Sequence, residues 1–201
     1  YQIACAHFYV GEFAASRSAF SVIAQDGASP WRRLSAYLVG RCWFREGERL
    51  LSKDATGALR YFQEAHKAFN ALQQGGLPPR PVTQAPDPIG EEELAQAIHV
   101  GEQRSLAAAD PEATAHMMAQ ELKKRGASKD FGDLMARYTN LLDANITGES
   151  DSYQDKEKPR FILPGLLKDD LTEWAYRFRE TGPKAYSLAY QRWKRRRSHP
   201  W

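Results

Sequence analysis

The sequence predicts an all-α fold built from successive helix pairs. Apolar residues recur at helical spacing along nearly the whole chain, and alternating patterns are absent apart from short runs such as Phe161-Ile162-Leu163. Ser, Asp, Pro and Gly fall where helices start and stop. The 201 residues are 42% hydrophobic and 26% charged, which is enough for a core and excludes wholesale disorder. No run reaches the roughly 18–20 apolar residues that a membrane-spanning helix needs.

Each element has its own local reason. Residues 1–10 are an apolar, helix-patterned run with no initiator Met, basic n-region or cleavage site, so the chain reads as a piece of a longer protein. A second helix, 12–25, carries Ser16, Phe20 and Ile23 at helical spacing. Ser29-Pro30-Trp31 sets a Ser cap before an early Pro and starts a third helix over 30–46. Asp54 caps a fourth, 54–74. Gly76 and five prolines (Pro78, Pro79, Pro81, Pro86, Pro88) make 76–90 a stiff extended linker.

Glu91-Glu92-Glu93 open a fifth helix, 91–108, where negative charge complements the helix dipole. Its Leu94, Ile98 and Gly101 pair in pattern with Met117, Met118 and Leu122 of a sixth, 111–125, begun by Asp110-Pro111. Ser128 caps a seventh, 129–143, with Phe131, Leu134, Met135, Tyr138, Leu141 and Leu142 on one stripe. Residues 144–160 are polar and read as a mobile loop, in which Asn145-Ile146-Thr147 matches a glycosylation sequon by pattern alone. Asp170-x-x-Glu173 has capping-box spacing for a helix over 167–180, and Gly182-Pro183 turns into another over 184–197. Ser198-His199-Pro200-Trp201 echoes Ser29-Pro30-Trp31 and reads as the start of a helix continuing elsewhere. The expected organisation is helix pairs over 1–75, a linker over 76–90, a helical hairpin region over 91–143, the loop, and a C-terminal helical pair over 161–201.

Self-comparison finds a repeat in the first block. Ala4 and Gly11 align with Gly40 and Gly47 at an offset of 36, and Ser16 and Phe20 align with Ala58 and Phe62 at 42. The second unit therefore reads as the first with six residues inserted between its helices. Val39-Gly40-x2-Trp43 and Ala58-x3-Phe62-x2-Ala65 resemble the tetratricopeptide repeat, in which small residues sit where two helices cross and an Ala-x3-Phe marks the second. Ser16-x3-Phe20-x2-Ile23 is the looser counterpart, with His7 at the Tyr position. The resemblance implies an α-α superhelix, a solenoid of helix pairs, with irregular helices added on its C-terminal side. The Asp-Asp-Leu-Thr-x-Trp segment from Asp169 to Trp174 resembles one in large uncharacterised bacterial proteins that carry such repeats; that likeness implies no activity.

The charge is unevenly placed. Six cations between Thr181 and Trp201 face no acid, so the net +3 of the chain is a basic tail on a body that is net −3. Arg192-Trp193-Lys194-Arg195-Arg196-Arg197 would suit phosphates and bases. Tyr186, Ala189, Tyr190 and Trp193 nevertheless share a helical stripe, which favours a solvated helix end or a contact with an acidic segment. Nucleic-acid binding is accordingly the third reading of function. Cys5 and Cys42 are too few for a disulfide framework or zinc site and read as small buried residues.

Catalytic motifs are absent: there is no His-Glu-x-x-His, phosphate-binding Gly loop, Gly-x-Ser-x-Gly or Cys-x-x-Cys. His99 and Glu102 share a helix face, but His116 with Glu121 does not repeat their spacing as a second metal pair would. Cys5-x-His7 raises a thiol nucleophile, yet residues two apart on a helix point in different directions. No cofactor or metal is expected.

The leading expectation is a non-catalytic scaffold that binds a protein or peptide in a groove lined by the first helix of each pair. The resemblance places Tyr1, Cys5, Phe8 and Tyr9 there in the first unit, and Tyr37, Arg41, Phe44 and Arg45 in the second. Aromatics and two arginines suit an extended peptide, with a carboxylate on Arg41 or Arg45. Phe8 and Phe44 packing against a further repeat is the competing reading. The second expectation is an accessory helical domain of a larger enzyme, such as a bacterial cell-wall glycosidase, with a periplasmic or cell-envelope location. The composition itself fixes neither compartment nor oligomeric state.

Overall fold

A computed structural model describes residues 1–78, 89–125, 130–142, 169, 171–173 and 175. They are all-α, with no strand among them. The helices are α1 Gln2–Tyr9, α2 Phe13–Gln25, α3 Arg32–Leu51, α4 Ala55–Gly75, α5 Glu91–Ala109, α6 Pro111–Arg125 and α7 Phe131–Leu142. The chain divides into two compact units, Tyr1–Ala109 and Asp110–Trp201. None of these helices is long and apolar enough to cross a membrane.

In the first unit the helices pack antiparallel in succession, each turn having a local cause. α1 stops because Gly11 takes φ +81°, a left-handed conformation cheap for glycine alone. Its N–H donates to Phe8 O at 3.2 Å and the Glu12 N–H to His7 O at 2.9 Å, the paired bonds of a Schellman cap. α4 starts because the Gly57 N–H donates to Asp54 Oδ1 at 2.8 Å, as the sequence leads one to expect.

Small residues let the helices close on one another. Ser16 is fully buried and its hydroxyl donates to Ala4 O at 2.8 Å, joining α2 to α1. Cys42 of α3 lies 3.4 Å from that hydroxyl. Burial pushes the Cys42 thiol above its ordinary pKa, so it behaves as an apolar residue. Both cysteines are unbridged. Arg17 of α2 lies 3.5 Å over the Trp43 ring while donating to Glu46 Oε2 at 2.7 Å, which fixes α2 against α3. Phe20, Phe62 and Phe69 are all buried, as are Ala58 and Ala65.

The third helix departs from expectation at both ends. It begins at Arg32, with Trp31 at the N-cap and no side-chain cap; Ser29 Oγ instead accepts from the Trp31 N–H at 3.3 Å. At the other end α3 runs past 46 to Leu51. Gly47 is no stop: a Cβ there would lie 2.8 Å from Phe62 Cε1, so it is the point where α4 approaches α3. Gly11 and Gly47 align in sequence yet do different work, one ending a helix and the other admitting an aromatic ring. The six-residue insertion of the second unit thus goes largely into extra helix.

α5 packs on α4 and also touches α3. Leu94 and Ile98 are buried. His66 Nδ1 lies 3.4 Å from Glu102 Oε1, and His99 sits between Gln73 (3.1 Å) and Gln103 (2.7 Å).

In the second unit α6 packs on α7 through Ala115, Met118, Ala119, Leu122, Tyr138, Leu141 and Leu142. Met117, expected with Met118 in the apolar pattern, is instead 49% exposed. The Ala113 N–H donates to Asp110 Oδ1 at 2.9 Å, the expected cap. Asp169 Oδ1 accepts from Leu171 N–H at 2.9 Å and Thr172 N–H at 3.2 Å, at the start of the helical residues that follow, while Asp170, the expected cap, lies outside the described residues. Lys123 donates to Asp169 Oδ2 at 3.0 Å, and Tyr138 Oη to Thr172 Oγ1 at 2.8 Å. The expected cap at Ser128, the sequon, the loop over 144–160, the helix over 184–197 and the basic tail lie outside the described residues, as does most of the 167–180 helix.

Candidate functional site

α3 and α5 lie side by side and run in the same direction, which three contacts establish. Near their starts Arg33 Nη2 donates to Glu91 Oε1 at 3.0 Å. Midway, a Cβ at Gly40 would lie 2.7 Å from Phe69 Cε1 and one at Gly101 2.8 Å from the same atom, so both glycines close on one ring. Toward their ends Arg104 Nη2 lies 3.7 Å from Glu48 Oε1.

Between the two helices, backed by Phe69 of α4, is a groove of about 500 Å³. Tyr37, Arg41, Phe44, Arg45 and Glu48 line it from α3; Glu93, Gln96, Ala97, Val100, Gly101 and Arg104 line it from α5. Tyr37, Arg41, Phe44 and Arg45 face a common space because they fall one helical turn apart. Phe44 packs on Phe62 with ring centroids 5.3 Å apart, and Tyr37 on Phe69 at 5.7 Å, so both aromatics are anchored from behind.

The charged groups of the groove differ in how they are held. Arg45 Nη1 donates to Glu48 Oε2 at 2.8 Å, and Glu48 also faces Arg104, whose guanidinium lies 5.1 Å from the Phe44 ring centroid. Arg41 lies 5.7 Å from the Phe8 ring and 5.9 Å from the Tyr37 ring. No carboxylate of the described residues lies within ion-pair distance of Arg41, and the residue is exposed. A guanidinium stacked on rings keeps its in-plane N–H donors available for an anion.

The four residues of the first unit lie elsewhere. Tyr1 stacks on Trp31 with centroids 4.1 Å apart and an interplanar angle of 11°. Burial, then the neighbouring Cys5, pushes its phenol up to about 12. Cys5 is half-buried against the Ala4, Phe13, Phe20 and Cys42 cluster, and Phe8 meets Phe13 edge-on at 5.5 Å. Tyr9 is 86% exposed. The structure brings Tyr37, Arg41, Phe44 and Arg45 together in the groove, with Phe8 reaching it only through Arg41.

Sequence reasoning did not find the α5 wall, Phe69 or Glu48. The available signal was Gly101, a small residue within the Leu94–Ile98 stripe that matches the Gly40 device. His99 and Glu102, which share a face of α5, are engaged with α4 through Gln73 and His66. Among the described residues no group of three His, Cys, Asp or Glu is placed to hold a metal ion.

No protein-family model, curated protein or solved structure matches this chain.

Proposed function

We propose that the Tyr1–Ala109 unit is a non-catalytic interaction module of tetratricopeptide-like helix pairs that binds an extended peptide between α3 and α5. The observation that carries this reading is the groove: two parallel helices separated by a third, exposing anchored aromatics beside a guanidinium with no carboxylate partner among the described residues. Tyr37 and Phe44 supply flat apolar area at low entropic cost, and Arg41 supplies an in-plane fork for a carboxylate. α5 then stands beside α3 as the next groove-lining helix, with Gly101 in the role of Gly40.

A random heptapeptide display library, selected on the full chain, tests the reading. Peptides should be enriched over an unrelated-protein control, and Arg41→Glu should weaken a selected peptide about tenfold or more in fluorescence anisotropy. Far-ultraviolet circular dichroism of the variant should be unchanged. Absence of enrichment, or equal binding by Arg41→Glu, refutes it.

A further inference from the structure

We infer that the groove is electrically polarised and selects a peptide carrying a cationic side chain at one end and an acidic one at the other. This rests on the peptide-binding reading and goes beyond it by naming a cation subsite. The parallel course of α3 and α5 fixes which charges share a level. Glu93 stands near the start of α5, on the side where Arg33 meets Glu91. Arg45, Glu48 and Arg104 stand toward the other end, where α3 meets α5 through Glu48 and Arg104. Arg41 lies between, one turn before Arg45.

The lining charges therefore separate into one carboxylate at the starting end and three guanidiniums against one carboxylate beyond it. Glu93 is exposed and its hydrogen bond among the described residues is a long 3.4 Å one from the Gly90 N–H, which leaves carboxylate lone pairs for a ligand cation. The Tyr37 ring lines the same groove and already has the Arg41 guanidinium 5.9 Å from its centroid, so the cation subsite rests on the Glu93 carboxylate. Glu48 already answers Arg45 and Arg104, so the uncompensated positive charge centres on Arg41.

Spacing sets the length. From Glu93 to Arg104 is eleven residues of helix, about 16 Å at 1.5 Å per residue. From Glu93 to Val100 is seven residues, about 10 Å. At about 3.3 Å per residue an extended peptide covers these in roughly three to five residues. The ligand is thus a short segment with Lys or Arg and Asp or Glu three to five positions apart.

The test is the charge pattern of heptapeptides selected from the display library on the full chain and on two variants. The parent should enrich peptides with a base and an acid at that spacing in one fixed order. Glu93→Arg should lose the base and keep the acid, and Arg41→Glu should lose the acid and keep the base. For one synthetic peptide of the parent set, Glu93→Arg should weaken binding about tenfold. Glu93→Gln, a milder change, should weaken it in the same direction, which guards against a folding artefact. Enriched peptides without this polarity, or an unchanged base preference in Glu93→Arg, overturn the inference and leave the peptide-binding reading standing. Failure of the parent to enrich any peptide overturns both.

Discussion

Gly40→Ala should destabilise the first unit, although alanine is the better helix former. In an exposed helix interior the exchange gains about 0.8–1 kcal/mol. At Gly40 the added methyl would lie 2.7 Å from Phe69 Cε1, well inside van der Waals contact. Phe69 is 1% exposed and is also held by Gly101, where a Cβ would lie 2.8 Å away, so the ring has no free direction of retreat. Overpacking of this kind costs about 1–3 kcal/mol, which leaves a net loss centred near 1 kcal/mol. Gly132 of α7 has no atom of the described residues within 4 Å of its would-be Cβ, so the same exchange there should stabilise by a few tenths to about 1 kcal/mol. Because the chain has two units, one unfolding midpoint is a poor readout. Hydrogen–deuterium exchange of α3–α5 and α7 peptides in the full chain reports each opening free energy separately. Phe69→Leu combined with Gly40→Ala should cost less than the sum of the two, with coupling of about 0.5 kcal/mol or more. Stabilisation by Gly40→Ala of the size seen at Gly132, or additivity in the cycle, would refute the reasoning.

Two further outcomes follow from the caps. Asp54→Ala removes the 2.8 Å bond from the Gly57 N–H and should lower protection of the first turns of α4 by about 1 kcal/mol in the same exchange experiment; unchanged protection would contradict that role. The Asp169 carboxyl is raised by burial but pulled lower by Lys123 and by the Thr172 and Leu171 N–H groups, and the net shift is down. A folded pKa below the unfolded value of about 3.9 gives stability that is present above that value and lost as pH falls through the folded one. Urea unfolding between pH 6 and 2.5, read by hydrogen–deuterium pulse labelling of α6 and α7 peptides, should thus show a loss below about pH 4 that is smaller in Asp169→Asn, and equal acid sensitivity of the two proteins would remove Asp169 as its source.

Local signals carried well where one helix decides its own fate. The Asp54 and Asp110 caps, the break after Gly75 and the stripe ending in Leu141 and Leu142 depend on residues within a few positions of each other. They were less informative where a distant ring decided. The helix expected over 30–46 runs on through Gly47 to Leu51, and the neighbour that makes Gly47 a packing point, Phe62, lies on the next helix. The Asp169 carboxylate likewise meets Lys123 on α6, 46 positions away, a partner that no local pattern announces.

The candidate groove divides in the same way. Tyr37, Arg41, Phe44 and Arg45 share a face by helical periodicity alone, so that wall is legible in the sequence. Its opposite wall is not, because the interval from Gly40 to Gly101 is 61 residues against 36 from Ala4 to Gly40, and the Pro-rich stretch between α4 and α5 hides the correspondence. The sequence by itself determined the helices α1 to α7, most of their ends and the small residues at the crossings of the first unit, since these follow from backbone propensity and side-chain size. Only the tertiary structure decided that α5 returns beside α3 over Phe69, because ring-to-glycine contact and the Arg33–Glu91 and Arg104–Glu48 pairs exist only once the chain has folded back.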